Sequence, residues 1–153
     1  MSRSSEQADV VKRFLNAMSQ LDVAAMFHEL AADAVCEFPA CPAGAPRMIT
    51  GRQACQDFFS GMIRPMWSAY ALIELEIHAL ADDPEQVVAN YTSQGLLLDG
   101  SPYHNTYMSK FTVRDGSIDR WCEYFDPAPL ARGVAILMGM ESTETAEVLE
   151  SPR

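Results

Sequence analysis

Cations are scarce in this chain: 11 Lys and Arg stand against 21 Asp and Glu, for a formal net charge of −10. A surface of that sign repels phosphate backbones and anionic membrane surfaces, and no Lys/Arg cluster reverses it locally, so neither nucleic acid nor a membrane is an expected partner. Long apolar runs are also missing. A stretch such as Val134-Ala-Ile-Leu-Met falls far short of the roughly 20 residues that cross a bilayer. The polar N-terminus has no hydrophobic secretion signal, which predicts a cytoplasmic protein. Cys36, Cys41, Cys55 and Cys122 form no CxxC pair and have no histidine at ligand spacing, so reduced, packed thiols and no structural metal are expected. A phosphate loop, a dinucleotide fingerprint and a Ser/His/Asp set are likewise absent.

What is present suits one domain. The 153 residues are 48% apolar, ample for a single core. That domain is expected over residues 1–140, with an acidic, frayed tail over 141–153. Helices come first. Ser4 and Ser5 offer a cap to a helix whose Val10, Val11, Phe14, Leu15 and Met18 recur at helical spacing, and Asp22 restarts a shorter one with Val23, Met26, Phe27 and Leu30. Residues 34–39 read as a strand stopped by Pro39, and the prolines and Gly44 keep 39–46 irregular. Thr50-Gly51 introduces a third helix carrying Cys55, Phe58, Phe59 and Met62, ended by Pro65. Strands are expected over 70–81, 86–98, 102–113 and 117–125, joined by short turns into a meander, with a last helix over 130–140. Helices ahead of a meander predict an α+β domain in which a curved sheet wraps around the helices and encloses a pocket.

One carboxylate stands out in the last strand. Asp115-Gly116 is a hairpin signal and Pro127 cannot continue a ladder, so residues 117–125 form one strand. Alternation puts Asp119, Trp121, Glu123 and Phe125 on one face and Ile118, Arg120, Cys122 and Tyr124 on the other. Glu123 then sits between two aromatics that shield it from water, which raises its pKa and suits it to proton transfer near neutrality. The plainer alternative is a surface glutamate beside a half-exposed Trp. In the preceding strand Tyr103, Asn105, Tyr107 and Ser109 share the Phe111/Val113 face, where Asn105 and Tyr107 can orient a carbonyl or stabilise an oxyanion, or else serve as structural hydrogen-bond partners of neighbouring strands or loops. His104 falls on the opposite face. His78 shares a face with Glu74 and Glu76 while Ile73, Leu75 and Ile77 point inward, so both histidines read as surface or interface residues.

Ile49-Thr-Gly-Arg-Gln, Tyr103-His-Asn-Thr-Tyr, Phe111-Thr-Val-Arg-Asp-Gly-Ser-Ile and Glu123-Tyr-Phe-Asp-Pro together carry a family resemblance. Over about residues 8–133 the chain resembles the SnoaL-like branch of the nuclear transport factor 2 superfamily, which includes polyketide cyclases, ketosteroid isomerases and phenazine-biosynthesis A/B proteins. The resemblance implies a cone-shaped, cystatin-like α+β fold with a curved antiparallel or mixed sheet, and a homodimer through its convex face. It places Glu123 where the polyketide cyclases carry an acidic acid/base. It also marks two departures: Phe38 stands where the isomerases carry their aspartate base, and Phe58 near where the phenazine proteins use a histidine.

The implied function is an acid/base enzyme of the isomerase, cyclase or dehydratase type, without metal or organic cofactor, acting on a small apolar or aromatic metabolite of secondary metabolism. Glu123, Tyr107 and Asn105 are the catalytic candidates, and Trp121, Phe38, Phe58, Phe125 and Tyr103 the substrate contacts. The alternative is a non-catalytic ligand-binding or accessory subunit with the same pocket.

Overall fold

The computed structural model describes residues 2–139; the expectation of an acidic tail over 141–153 lies outside them. Helix α1 (Arg3–Ser19) buries the expected stripe, Val10, Val11, Phe14, Leu15 and Met18. Each such side chain taken fully from water contributes about 1.5–3 kcal/mol. Its cap is Ser2, whose hydroxyl accepts from the Ser5 amide at 3.3 Å, and not Ser4 or Ser5. Two residues earlier, the chain gains half a turn and still leaves the apolar stripe in phase. Leu21 turns the chain at a φ of 54°, and Asp22 caps α2 (Val23–His28) by accepting from Ala25.

Among the described residues six strands follow: β1 (Leu30–Glu37), β2 (Met48–Thr50), β3 (Trp67–Ala79), β4 (Gln86–Leu97), β5 (Pro102–Arg114) and β6 (Ser117–Phe125). Their order in the sheet is β2-β1-β6-β5-β4-β3, antiparallel throughout except for the parallel β1/β6 pair. The sheet is mixed and not closed, with helices ahead of it, as expected for the α+β class. Strand β1 starts at Leu30, which the sequence had assigned to the second helix stripe; Leu30 is buried all the same, opposite Ile118 of β6. Between β2 and β3 lies α3 (Arg52–Phe58), continued by a π-helical turn (Phe59–Ile63) and a 3₁₀ turn (Arg64–Met66). Helix α4 (Pro127–Leu137) ends the described fold.

Two register shifts in the meander, at Thr112/Val113 and at Ile73/Glu76, decide which side chains face inward, and a third lies between Trp67 and Ala69. Asp115 and Gly116, with φ of 50° and 78°, make the mirror-image turn that matches strand twist. Immediately after it Val113 faces Ile118 but Thr112 faces Arg120, so Asp119 is an extra residue on β6. Ile118 therefore points into the core, fully buried, contrary to strict alternation, while Trp121 and Glu123 keep the inward face. In β3 a bulge lies between Ile73 and Glu76, with Glu74 at φ 52°. It turns Ile73 outward, at 37% exposure, and leaves Leu72, Leu75 and Ile77 against the core.

One glycine is fixed by close approach. A Cβ on Gly95 of β4 would strike the backbone carbonyl of Ala69 on β3, so this position holds the start of β3 tight against its neighbour. The core centre is aromatic: Phe14 of α1 meets Trp121 at 4.9 Å and Phe111 at 5.6 Å, both edge-on.

Candidate active site

Strands β5 and β6 deliver the acid. Glu123 lies directly opposite Ser109, and Phe125 opposite Tyr107. The inward side chains of this pair, with Phe38, the 41–46 loop, the α3 extension and α4, surround a cavity of about 560 Å³. Helix α4 covers one side with Leu130 and Val134. It stays close because Gly133 has no side chain: a Cβ there would sit 3.1 Å from the Met66 sulfur and 3.2 Å from Leu97.

Glu123 lines this cavity yet is only 6% exposed. Burial pushes its pKa up to about 7, partly opposed by hydrogen bonds from Tyr91 and Ser109 to the carboxylate. The Tyr91 hydroxyl donates to Glu123 Oε2 through a short contact, and Ser109 Oγ lies 3.4 Å from the same oxygen. Tyr91 and Ser109 are themselves linked at 2.7 Å, and the Trp121 indole donates to Ser109 at 3.3 Å. Glu123 thus has the environment that its position in the strand predicts, with both protonation states populated near neutral pH.

A second group of hydroxyls lies alongside. Tyr107 OH sits 3.0 Å from Ser93 Oγ, 3.3 Å from Tyr103 OH and 3.5 Å from Tyr70 OH. Its ring stacks on Tyr91 at 5.0 Å, which sets this cluster beside the Glu123 network. Burial drives the pKa values of Tyr70, Tyr91, Tyr103 and Tyr107 upward, so all four phenols are neutral donors at pH 7. Next to a buried carboxyl group, such donors can polarise a carbonyl or share charge on an enolate oxygen while the acid moves a proton.

Of the residues expected at the site, Glu123, Tyr107, Tyr103, Phe38, Phe58 and Phe125 all line the cavity. Two do not. Trp121 is fully buried in the core, where Phe38 at 5.2 Å and Phe59 at 5.6 Å pack over it, so it supports Ser109 from beneath and forms no part of the wall. Asn105 is occupied by structure. Its Nδ2 donates to the Asp126 carbonyl at 2.9 Å and to Tyr103 OH at 3.1 Å, and its Oδ1 accepts from the amides of Thr106 and Asp126. It clips the end of β6 to β5 and carries no free donor for a ligand. Sequence reasoning missed Tyr70, Tyr91 and Ser93. The signal for the last two was present in β4, where Val87, Ala89, Tyr91 and Ser93 alternate on the buried face. Which of these meets Glu123 depends on pairing with β5, which no local pattern specifies.

The four cysteines are free thiols. His28, His78 and His104 are exposed and none lines the cavity. Among the described residues no group of three His, Cys, Asp or Glu is placed to hold a metal ion, and no helix is long and apolar enough to cross a membrane.

Comparison with known proteins agrees with the fold. The sequence profile of the SnoaL-like domain matches residues 11–121. The uncharacterised protein YesE of Bacillus subtilis (strain 168) is 26% identical over 128 residues, covering 83% of this chain and 86% of that protein. A crystal structure of a Bacillus subtilis protein provisionally described as an isomerase superposes with a TM-score of 0.76 at 25% identity, over 92% of this chain and 97% of its own. A Xanthomonas campestris pv. campestris protein provisionally described as a polyketide cyclase shares the fold, with a TM-score of 0.70 at 23% identity over 88% of this chain and 98% of its own.

Proposed function

Because the chain belongs to the SnoaL-like domain family, we propose that it is an acid/base enzyme of the isomerase, cyclase or dehydratase type, acting without metal or organic cofactor on a small, largely apolar or aromatic metabolite. The observation that carries this reading is Glu123: a carboxyl group 6% exposed, with its pKa near 7, facing a cavity of about 560 Å³. As the carboxylate it accepts a proton from a carbon or hydroxyl of the substrate; as the acid it returns one. Isomerisation, cyclisation by aldol or ring opening, and dehydration each need that transfer beside a polarised oxygen. Tyr107 is the donor for that oxygen, with Tyr103 and Tyr70 bonded to it. Phe38, Phe58 and Phe125 supply apolar contact to the substrate and keep water away from the carboxyl group.

A second copy is the proposed partner. Met108 and Tyr124 oppose each other on the outer face of β5 and β6 and are 55% and 52% exposed, apolar surface suited to homodimer packing. The rival reading is a ligand-binding or accessory subunit without chemistry, favoured by Phe38 and Phe58 facing the cavity at the two departures from relatives' catalytic residues. Native mass spectrometry of protein purified from its own host identifies a retained molecule, and turnover of that molecule separates the readings. Conversion by the wild type with binding but no conversion by Glu123→Gln supports the enzyme; binding without conversion by either supports the subunit.

A further inference from the structure

We infer that the ligand of this cavity carries an anionic group, a carboxylate on a flat apolar frame, and that Arg64 holds it at the cavity edge. This deepens the reading of the cavity as a substrate site and rests on it. Among the described residues lining the cavity two are charged, Glu123 and Arg64. They occupy different places. Glu123 lies deep, at the rung of β5 and β6 shared with Ser109. Arg64 is exposed on the 3₁₀ turn leading into β3, beside Trp67, whose indole packs at 4.7 Å from Tyr70 and 5.4 Å from Tyr103.

Among the described residues Arg64 also has no acidic partner within salt-bridge distance. Arg3, Arg13, Arg114 and Arg120 each pair with an Asp or Glu. The hydrogen bond of Arg64 goes instead to the carbonyl of Trp67, from Nη1 at 3.4 Å, which orients the guanidinium and leaves its other donors for a ligand. The neighbouring Trp67 indole nitrogen also has no hydrogen-bond partner, but it is buried from solvent, so the guanidinium is the donor that a ligand reaches at this junction. With a net charge of −10, the protein repels an anionic ligand everywhere except beside such a cation. The alternative place for an anion, beside Glu123, sets two like charges together in an apolar chamber whenever Glu123 is ionised, which disfavours it. At Arg64 a carboxylate keeps part of its hydration and meets a planar fork that matches its geometry. The consequence is an orientation, with the acidic end held outward and the reacting end delivered to Glu123.

The test uses two probes of one shape, 2-naphthoate and its neutral amide 2-naphthamide, titrated calorimetrically into the full chain. The wild type is expected to bind naphthoate about tenfold more tightly than the amide, with the preference shrinking as salt rises. Arg64→Gln should abolish the preference by weakening naphthoate alone, and Arg64→Lys should keep part of it. Equal affinities in the wild type, or an unchanged preference in Arg64→Gln, would overturn the anionic subsite while leaving the cavity reading intact. Binding of neither probe would overturn both, whereas the proton-transfer role is tested separately by turnover in Glu123→Gln.

Discussion

Tyr91 of β4 reaches diagonally across β5 to donate its hydroxyl proton to Glu123 of β6. Three strands are thereby tied at the acid, and the bond favours the charged carboxylate that burial disfavours. Tyr91→Phe removes this counterweight, so the pKa of Glu123 should move up from about 7, by roughly one to two units for the usual 1.5–3 kcal/mol of a hydrogen bond to a charged group. A carbon-13 titration of the Glu123 carboxyl would show it; an unmoved midpoint would mean that Tyr91 does not set the acidity.

Glu123→Gln keeps the shape and removes the proton transfer. Turnover should fall by about 10²–10⁴, the range of general acid/base contributions, with ligand binding retained. Rapid-quench turnover with the identified ligand checks it.

The same substitution reports on stability against pH. Glu123 has a folded-state pKa of about 7 against 4.5 for a free carboxyl group, so the folded protein holds the proton more tightly. Its contribution is therefore fully present below about pH 4.5, declines as pH rises, and is gone above about 7; the span is about 3 kcal/mol. Urea unfolding of wild type and Glu123→Gln across pH 4 to 8 should show the wild type losing roughly that much more. Parallel curves would contradict a buried, protonated Glu123.

Asn105→Ala should act on the fold and not on the chemistry. Four hydrogen bonds to Tyr103, Thr106 and both backbone groups of Asp126 are lost, at a cost of about 2–3 kcal/mol with buried partners left unsatisfied. Chemical unfolding should register the loss, while turnover per folded molecule at low temperature stays within several-fold of the wild type. A collapse of turnover with no change in stability would return Asn105 to the catalytic set.

Gly95→Ala forces β3 and β4 apart where the Ala69 carbonyl passes. The expected destabilisation is about 1–3 kcal/mol. Because Trp67 and Tyr70 flank that point, near-ultraviolet circular dichroism of the folded variant should change as well.

Much of this was legible beforehand where the signal is local. The α1 stripe, the Asp22 cap, the Asp115-Gly116 turn and the inward row of β5 are short-range patterns, and each is present. The burial of Glu123 was legible because its two aromatic neighbours and the proline stop lie within a few residues. Two differences share one cause: period-2 reasoning cannot see a bulge, so it puts Ile73 and Ile118 on the wrong faces. Trp121 and Asn105 were assigned the right face but the wrong depth, since only packing shows that Phe38 and Phe59 cover one and Asp126 occupies the other. Tyr70 and Tyr91 belong to the site through strand pairing, which no window along the chain contains.

The parallel seam between β1 and β6 joins the first and last strands of the described chain. Arg120 and Glu37, which pair across it, are 83 residues apart, so the loop between them must close before the seam yields any stabilising contact. Until the last strand leaves the ribosome, β1 keeps an open edge on that side, and a nascent chain stalled short of β6 is exposed to the edge-to-edge aggregation that such a strand invites.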